Sequence, residues 1–181
     1  MKTRTMTFAA ALTLALAVGC KENKTKKNVG IDTPKEVEQQ KTETSDIADQ
    51  GFVDGMTGKV WHNYLQLKMA LVNSDSDAAQ KAAGDMAESF DQERADMKSL
   101  AQQIADSDGL EEQRQLFSEF GEKVEDLFTE ALSEGTIYKQ YCPMAFDNEG
   151  AYWFSDVSEI RNPYFGDRML KCGSVKEEIK G

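Results

Sequence analysis

The feature that most constrains this chain is a run of apolar side chains at helical spacing from Val60 to Ala131. A period near 3.6 puts residues three and four apart on one helix face, which must then be buried. In the first segment Val60, Trp61, Tyr64, Leu65 and Leu71 share a side, and Lys68 is the one charge inside the stripe. Asn73-Ser74-Asp75-Ser76 interrupts it, and Asp77 with Gln80 has the form of a capping box that restarts a helix. Ala79, Ala83, Met86, Phe90, Met97, Leu100 and Ile104 carry the stripe to a second break at Asp106-Ser107-Asp108-Gly109, where Asp108 and Glu111 form another capping pair. Leu116, Phe117, Phe120, Val124, Leu127, Phe128 and Ala131 complete it. Successive helices with short connections predict a mainly α fold, an up-down bundle of three to four helices. The Met and Phe residues of the stripes belong in its core rather than around a cofactor.

After Gly135 the pattern changes. Ile137–Tyr141 and Ala151–Ser155 are β-prone and flank the turn cluster Asp147-Asn148-Glu149-Gly150. This predicts a small C-terminal β-hairpin capping the bundle. Asn162-Pro163 fits a helix start, with Asn162 as N-cap and Pro163 at the first helical position, and Gly173 fits its end. Met169 and Cys172 would then share one face of that helix.

The first twenty residues read as an address. Lys2 and Arg4 precede an apolar run from Phe8 to Val18, shorter than the roughly 20 residues a membrane span needs. Leu16-Ala17-Val18-Gly19-Cys20 resembles the lipobox of bacterial lipoproteins, with Ala17 where Leu is more usual. The resemblance implies removal of residues 1–19 as a signal peptide and diacylglycerol on Cys20. The lipid would hold the chain on a membrane by burying CH₂ groups. Lys21, in place of an Asp, favours the outer membrane of the bacterial envelope, with its periplasmic or surface face open. Residues 21–50 hold six Lys and seven acidic side chains, one Pro and no aromatic residue. That composition cannot offset ordering entropy, so residues 20–50 are expected to be a lipidated Cys and flexible charged tether before a domain at 51–181.

Charge excludes one class of partner. The formal charge is −11, and loss of Lys2 and Arg4 with the signal takes it to −13, which opposes binding to nucleic-acid phosphates. No Gly-rich phosphate loop, nucleophile elbow, H-E-x-x-H or C-x-x-C-H motif occurs, so an enzyme is not expected. Asp75-Ser76-Asp77 and Asp106–Gly109 lack the further ligands and spacing of calcium loops. One constellation remains: Cys142-Pro143-Met144 and, further on, Met169-Leu170-Lys171-Cys172. Thiolates and thioethers are soft ligands that select Cu(I) among physiological metals. His62 is the one imidazole available to join them, although an exposed helix residue is its plainer role. Against a metal stands a disulfide. Two cysteines remain once Cys20 is lipidated, and an exported compartment is oxidising. Closing a loop of about 30 residues would contribute roughly 3–4 kcal/mol by the loop-entropy argument. The residues alone leave both open.

The tail motifs Tyr141-Cys142-Pro143-Met144-Ala145, Trp153-Phe154-Ser155, Ile160-Arg161-Asn162-Pro163-Tyr164-Phe165-Gly166 and Met169-Leu170-Lys171-Cys172-Gly173 resemble a bacterial family of domains of unknown function. Its signature is C-P-M-A, W-x-S and I-x-N-P-Y-x-G-x-x-M-L-x-C-G. In the helical half, Tyr64-Leu65, Leu67-Lys68, Ala70-Leu71, Gln113-Arg114 and Phe117-Ser118 agree with it. Similar domains occur alone and fused to periplasmic adaptor subunits of copper/silver efflux systems. The resemblance implies a heavy-metal context, with Cys142, Met144, Met169 and Cys172 as natural ligands for Cu(I) or Ag(I). An efflux adaptor or metallochaperone is the implied partner. It carries no catalytic residue and does not include His62. Trp153, Asn162, Pro163, Tyr164 and Gly166 are structural in this reading: Asn162 caps, Gly166 permits a tight backbone, and the aromatics wall the loop. Arg114, on the third predicted helix, is expected to pair with carboxylates or tail carbonyls. The expectation is a lipid-anchored envelope protein that binds soft metal for buffering or efflux. The alternative is a disulfide-stapled, non-enzymatic interaction module.

Overall fold

The apolar stripes become four helices in the computed structural model, which describes residues 50–181. The signal-like segment, Cys20 and the rest of the tether lie outside the described residues. Helices α1 (Gly55–Val72), α2 (Ser76–Ser89), α3 (Ala95–Asp106) and α4 (Leu110–Ala131) follow one another with short connections. Each packs on the next, and α4 returns to α1. The stripe residues form the core: Trp61, Tyr64, Phe117, Phe120 and Phe128 are all buried. Their rings meet at centroid distances such as 4.9 Å for Tyr64 with Phe117 and 5.0 Å for Trp61 with Phe128. Such contacts contribute beyond simple area burial.

Three local expectations are corrected. The second stripe is not one helix, because Phe90 turns extended and buries its ring 6.1 Å from that of Phe120. Asp91 then caps a 3₁₀ turn, Gln92–Arg94, that leads into α3. The N-cap of α2 is Asp75, not Asp77, since its carboxylate accepts the Ala78 N–H at 3.0 Å. Asp77 sits in the first turn, where a negative charge still suits the helix dipole. Gln80 donates instead to the Ser107 carbonyl at 2.8 Å. Helix α4 starts from Gly109 without a side-chain cap, so the Asp108–Glu111 pair is not formed.

Two antiparallel sheets complete the structure. Strand β1 (Gly51–Phe52) pairs with β2 (Leu132–Glu134). Gln50, read as the last tether residue, is tied to the domain: its side chain donates to the Thr136 carbonyl at 2.9 Å and accepts from Trp61 Nε1 at 3.3 Å. The predicted hairpin is present as β3 (Thr136–Cys142) and β4 (Ala151–Ser155), with Cys142 opposite Ala151. Strand β5 (Ser174–Lys180) was not expected; it pairs on the other side of β3, with Tyr141 opposite Ser174.

The helix expected between Asn162 and Gly173 does not form. Asn162 does cap, accepting the N–H groups of Tyr164 and Phe165 at 2.8 and 3.2 Å. It starts only a turn and the 3₁₀ segment Gly166–Arg168, because Gly166 takes φ 54 and Met169 leaves helical space at φ −154. Met169 and Cys172 therefore share a turn rather than a helix face, the Cys172 N–H donating to the Met169 carbonyl at 3.0 Å. Among the described residues no helix is long and apolar enough to cross a membrane.

Candidate functional site

The pairing of β3 with β5 brings the ends of the tail together. Cys142 closes β3 and is 0 % exposed, while Cys172 is half-buried just before β5. Their sulfurs lie 2.7 Å apart. Residues next to the pair fix this meeting. Asn162 Nδ2 donates to the Cys172 carbonyl at 2.7 Å. Gly173 takes φ 146, and a Cβ there would fall 2.8 Å from the Trp153 ring and 3.0 Å from the Tyr141 carbonyl. Only glycine lets the chain pass between the buried Trp153 indole and the edge of β3.

The surroundings of Cys172 disfavour its thiolate. Burial, then the adjacent Cys142 thiol, push the Cys172 thiol up to about 11, and the Met144 N–H acts against them. The Cys172 proton thus stays until a metal ion or a disulfide partner displaces it. Met144 is 46 % exposed, and its backbone faces the Cys172 sulfur. Met169 is half-buried and joined to the pair through its carbonyl. His62 is exposed on α1 and paired with Gln66 at 2.9 Å within its own helix. It lies two residues, about 200° of helical turn, from the inward-facing Tyr64. Among the described residues no three His, Cys, Asp or Glu side chains are grouped closely enough to hold a metal. The cysteines therefore gain no imidazole and no carboxylate.

The residues expected to be structural pin the tail to the helices. Arg114 is buried on α4, the fourth helix rather than the third. Its Nε donates to the Pro163 carbonyl at 2.9 Å, and its other nitrogens reach the Leu71 carbonyl, Ser74 Oγ and Glu111 at 3.2, 3.1 and 3.3 Å. One guanidinium thus joins the end of α1, the α1–α2 turn and the buried Pro163 loop. A Cβ at Gly166 would come 2.5 Å from Ser74 Oγ and 2.9 Å from the Val72 carbonyl, so the loop seats against α1 only with glycine. Tyr164 is buried, its hydroxyl donating to the Tyr152 carbonyl and its ring 5.8 Å from that of Trp153.

A second clamp lies at Lys68. Lys68 is 2 % exposed, and its ammonium donates to Ser155 Oγ at 2.9 Å and Asp156 at 3.2 Å. Burial pulls its pKa down while the Asp156 carboxylate lifts it. Beside it, Tyr64 Oη accepts the Phe154 N–H at 3.0 Å. The signal for this clamp was present as the single charge in the first stripe. A buried charge needs a partner, and Ser155 of the W-x-S motif supplies one.

Known proteins add one coarse finding. The model of a family described as a protein of unknown function, DUF3347, matches residues 60–134. That span covers most of the helical half and ends before β3, so the tail motifs and both cysteines lie beyond it. No curated protein and no solved structure matches the chain. In its helical half this chain is similar to a protein family of unknown function.

Proposed function

We propose that this protein is a lipid-anchored envelope module that captures Cu(I) or Ag(I) on Cys142 and Cys172 and buffers it or hands it to an efflux partner. The observation that carries this reading is the 2.7 Å meeting of two thiols, 30 residues apart, beside the exposed Met144. With neither imidazole nor carboxylate grouped with them, the donor set is sulfur, which suits a soft monovalent ion. Two metal–sulfur bonds of about 2.3 Å hold their sulfurs roughly 3.8–4.6 Å apart. Cys142 is fixed in β3, so loading requires the Cys172 turn to swing outward by about 1–2 Å. Met144, already at the rim, is the thioether that would follow the ion as it enters or leaves. The lipid on Cys20 would keep this exchange at a membrane, and the −11 charge supports no role with nucleic acid.

Titration of the reduced chain with Cu(I) against a competing chelator tests it. One ion per chain is expected, with binding abolished in the Cys142→Ser/Cys172→Ser double variant and weakened about tenfold in Met144→Leu. Absence of binding, or the same affinity in the double variant, would sink the reading.

The same distance favours a second reading, a disulfide staple in an interaction module. A separation of 2.7 Å is nearer to a sulfur–sulfur bond than to two sulfurs sharing an ion. Alkylation and mass measurement of chain isolated without reductant separates the two. Two alkylated thiols remove the staple.

A further inference from the structure

The two cysteines differ in exposure. Cys142 is 0 % exposed within the core, enclosed between β4 and the β5 approach. Cys172 is half-buried on a turn. Thiol–disulfide exchange requires a sulfur that an incoming disulfide can approach, followed by a second sulfur within reach. We propose that Cys172 is the entry thiol for exchange with a disulfide partner and Cys142 the internal resolving thiol, so that the pair is oxidised in a fixed order.

The chemistry balances as follows. Cys172 gives up its proton and its sulfur attacks one sulfur of the partner's R–S–S–R′ bond. That bond breaks, and R′S⁻ leaves and takes up a proton. The mixed disulfide at Cys172 now lies against the Cys142 sulfur, which attacks the Cys172 sulfur. The bond from Cys172 to R breaks, and RS⁻ leaves with the proton that Cys142 gives up. Two cysteine thiols become one disulfide, and the partner disulfide becomes two thiols. A dithiol partner runs the sequence backwards, again through Cys172. The partner class is a thiol–disulfide oxidoreductase or a small oxidised thiol. Oxidation consumes both thiols, so the exchange also decides whether Cu(I) can bind; that last consequence alone rests on the metal reading.

The test uses the full chain with Cys20→Ser, so that Cys142 and Cys172 are its two cysteines, metal-free and reduced, with oxidised glutathione as probe, followed by acid quenching and peptide mass mapping. This chain should form the internal disulfide without a lasting adduct. Cys142→Ser should keep one glutathione on Cys172. Cys172→Ser should react at least about tenfold more slowly, and should match Cys142→Ser once both are unfolded in guanidinium. Equal rates in the folded variants overturn the order. The same chain treated with less than one equivalent of iodoacetamide gives a check free of further variants: the first label should fall on Cys172, and a first label on Cys142 overturns the proposal. Because no metal is present, this outcome is independent of the Cu(I) titration.

Discussion

The helical half and the tail share one core, but the tail depends more on polar joints. Between residues 55 and 131 most buried side chains are apolar, and the aromatic rings of α1 and α4 interlock. Between 136 and 180 the chain adds Ile137, Trp153, Phe154 and Tyr164 to that same core, while β5 is mostly exposed along its length. The tail is in addition fixed at a few joints by polar groups reaching out of the helices: Arg114 to Pro163, Lys68 to Ser155 and Asp156, and Tyr64 to Phe154. A small sheet that ends one strand on Cys142 and is entered from Cys172 is thus positioned by the helices that carry it. The cost of a mutation should follow the same division. Core changes should weaken everything, and joint changes should free the tail first.

The largest expected effect is Phe128→Ala. Its ring lies 5.0 Å from Trp61, 5.4 Å from Tyr64 and 5.9 Å from Phe154. The cavity should cost about 4 kcal/mol, and urea unfolding followed by far- and near-ultraviolet circular dichroism should show helices and tail lost together. A tail signal that outlasts the helices would break the comparison. Next comes Arg114→Met, which leaves the Leu71 and Pro163 carbonyls without their donor and should cost roughly 3 kcal/mol. Hydrogen exchange should quicken at Tyr164 and Phe165 well before α2 and α3 respond. Uniform acceleration across the chain would contradict it.

The smallest effect sharpens the other side. Asp54 caps α1, accepting the Thr57 N–H at 2.7 Å, and that bond is the leading reason its carboxyl sits below the ordinary value. Asp54→Ala should cost about 1 kcal/mol at neutral pH. With the folded pKa depressed, the stabilisation is fully present above the unfolded value of 3.8 and is lost as pH falls through the lower folded value. Thermal melts of variant and wild type should therefore converge toward about pH 2. An undiminished gap there would mean the charge is not what caps the helix.

The helices were legible because stripe periodicity depends only on neighbours three and four apart, and those neighbours do face one core. Helix ends were less so. Asp75 and Asp77 both look like caps, and only the path of the chain decides which carboxylate meets a free N–H. The hairpin was visible in Ile137–Tyr141 and Ala151–Ser155, whereas β5 was hidden because Ser174–Lys180 is charged on most positions, as an exposed edge strand tends to be. Asn162-Pro163 misled in one direction: its capping chemistry is real, but Gly166 ends the turn it starts. Of the candidate site, the tail-carbonyl role of Arg114 was legible from the need of a buried guanidinium for partners. Lys68, the one charge inside the first stripe, carries the same clue.

The Arg114 clamp also sets an order in time. Its bonds to Leu71, Ser74 and Pro163 join residues 43, 40 and 49 apart, whereas the contacts that build each helix are local. Local contacts form early, and loops of that size close later. The clamp therefore closes late, and losing it should speed unfolding far more than it slows folding. A newly made chain passes through a stage in which its helices stand and its tail is still loose. During that stage Cys142 is open to solvent, and only the closing of the clamp leaves Cys172 as the single way in.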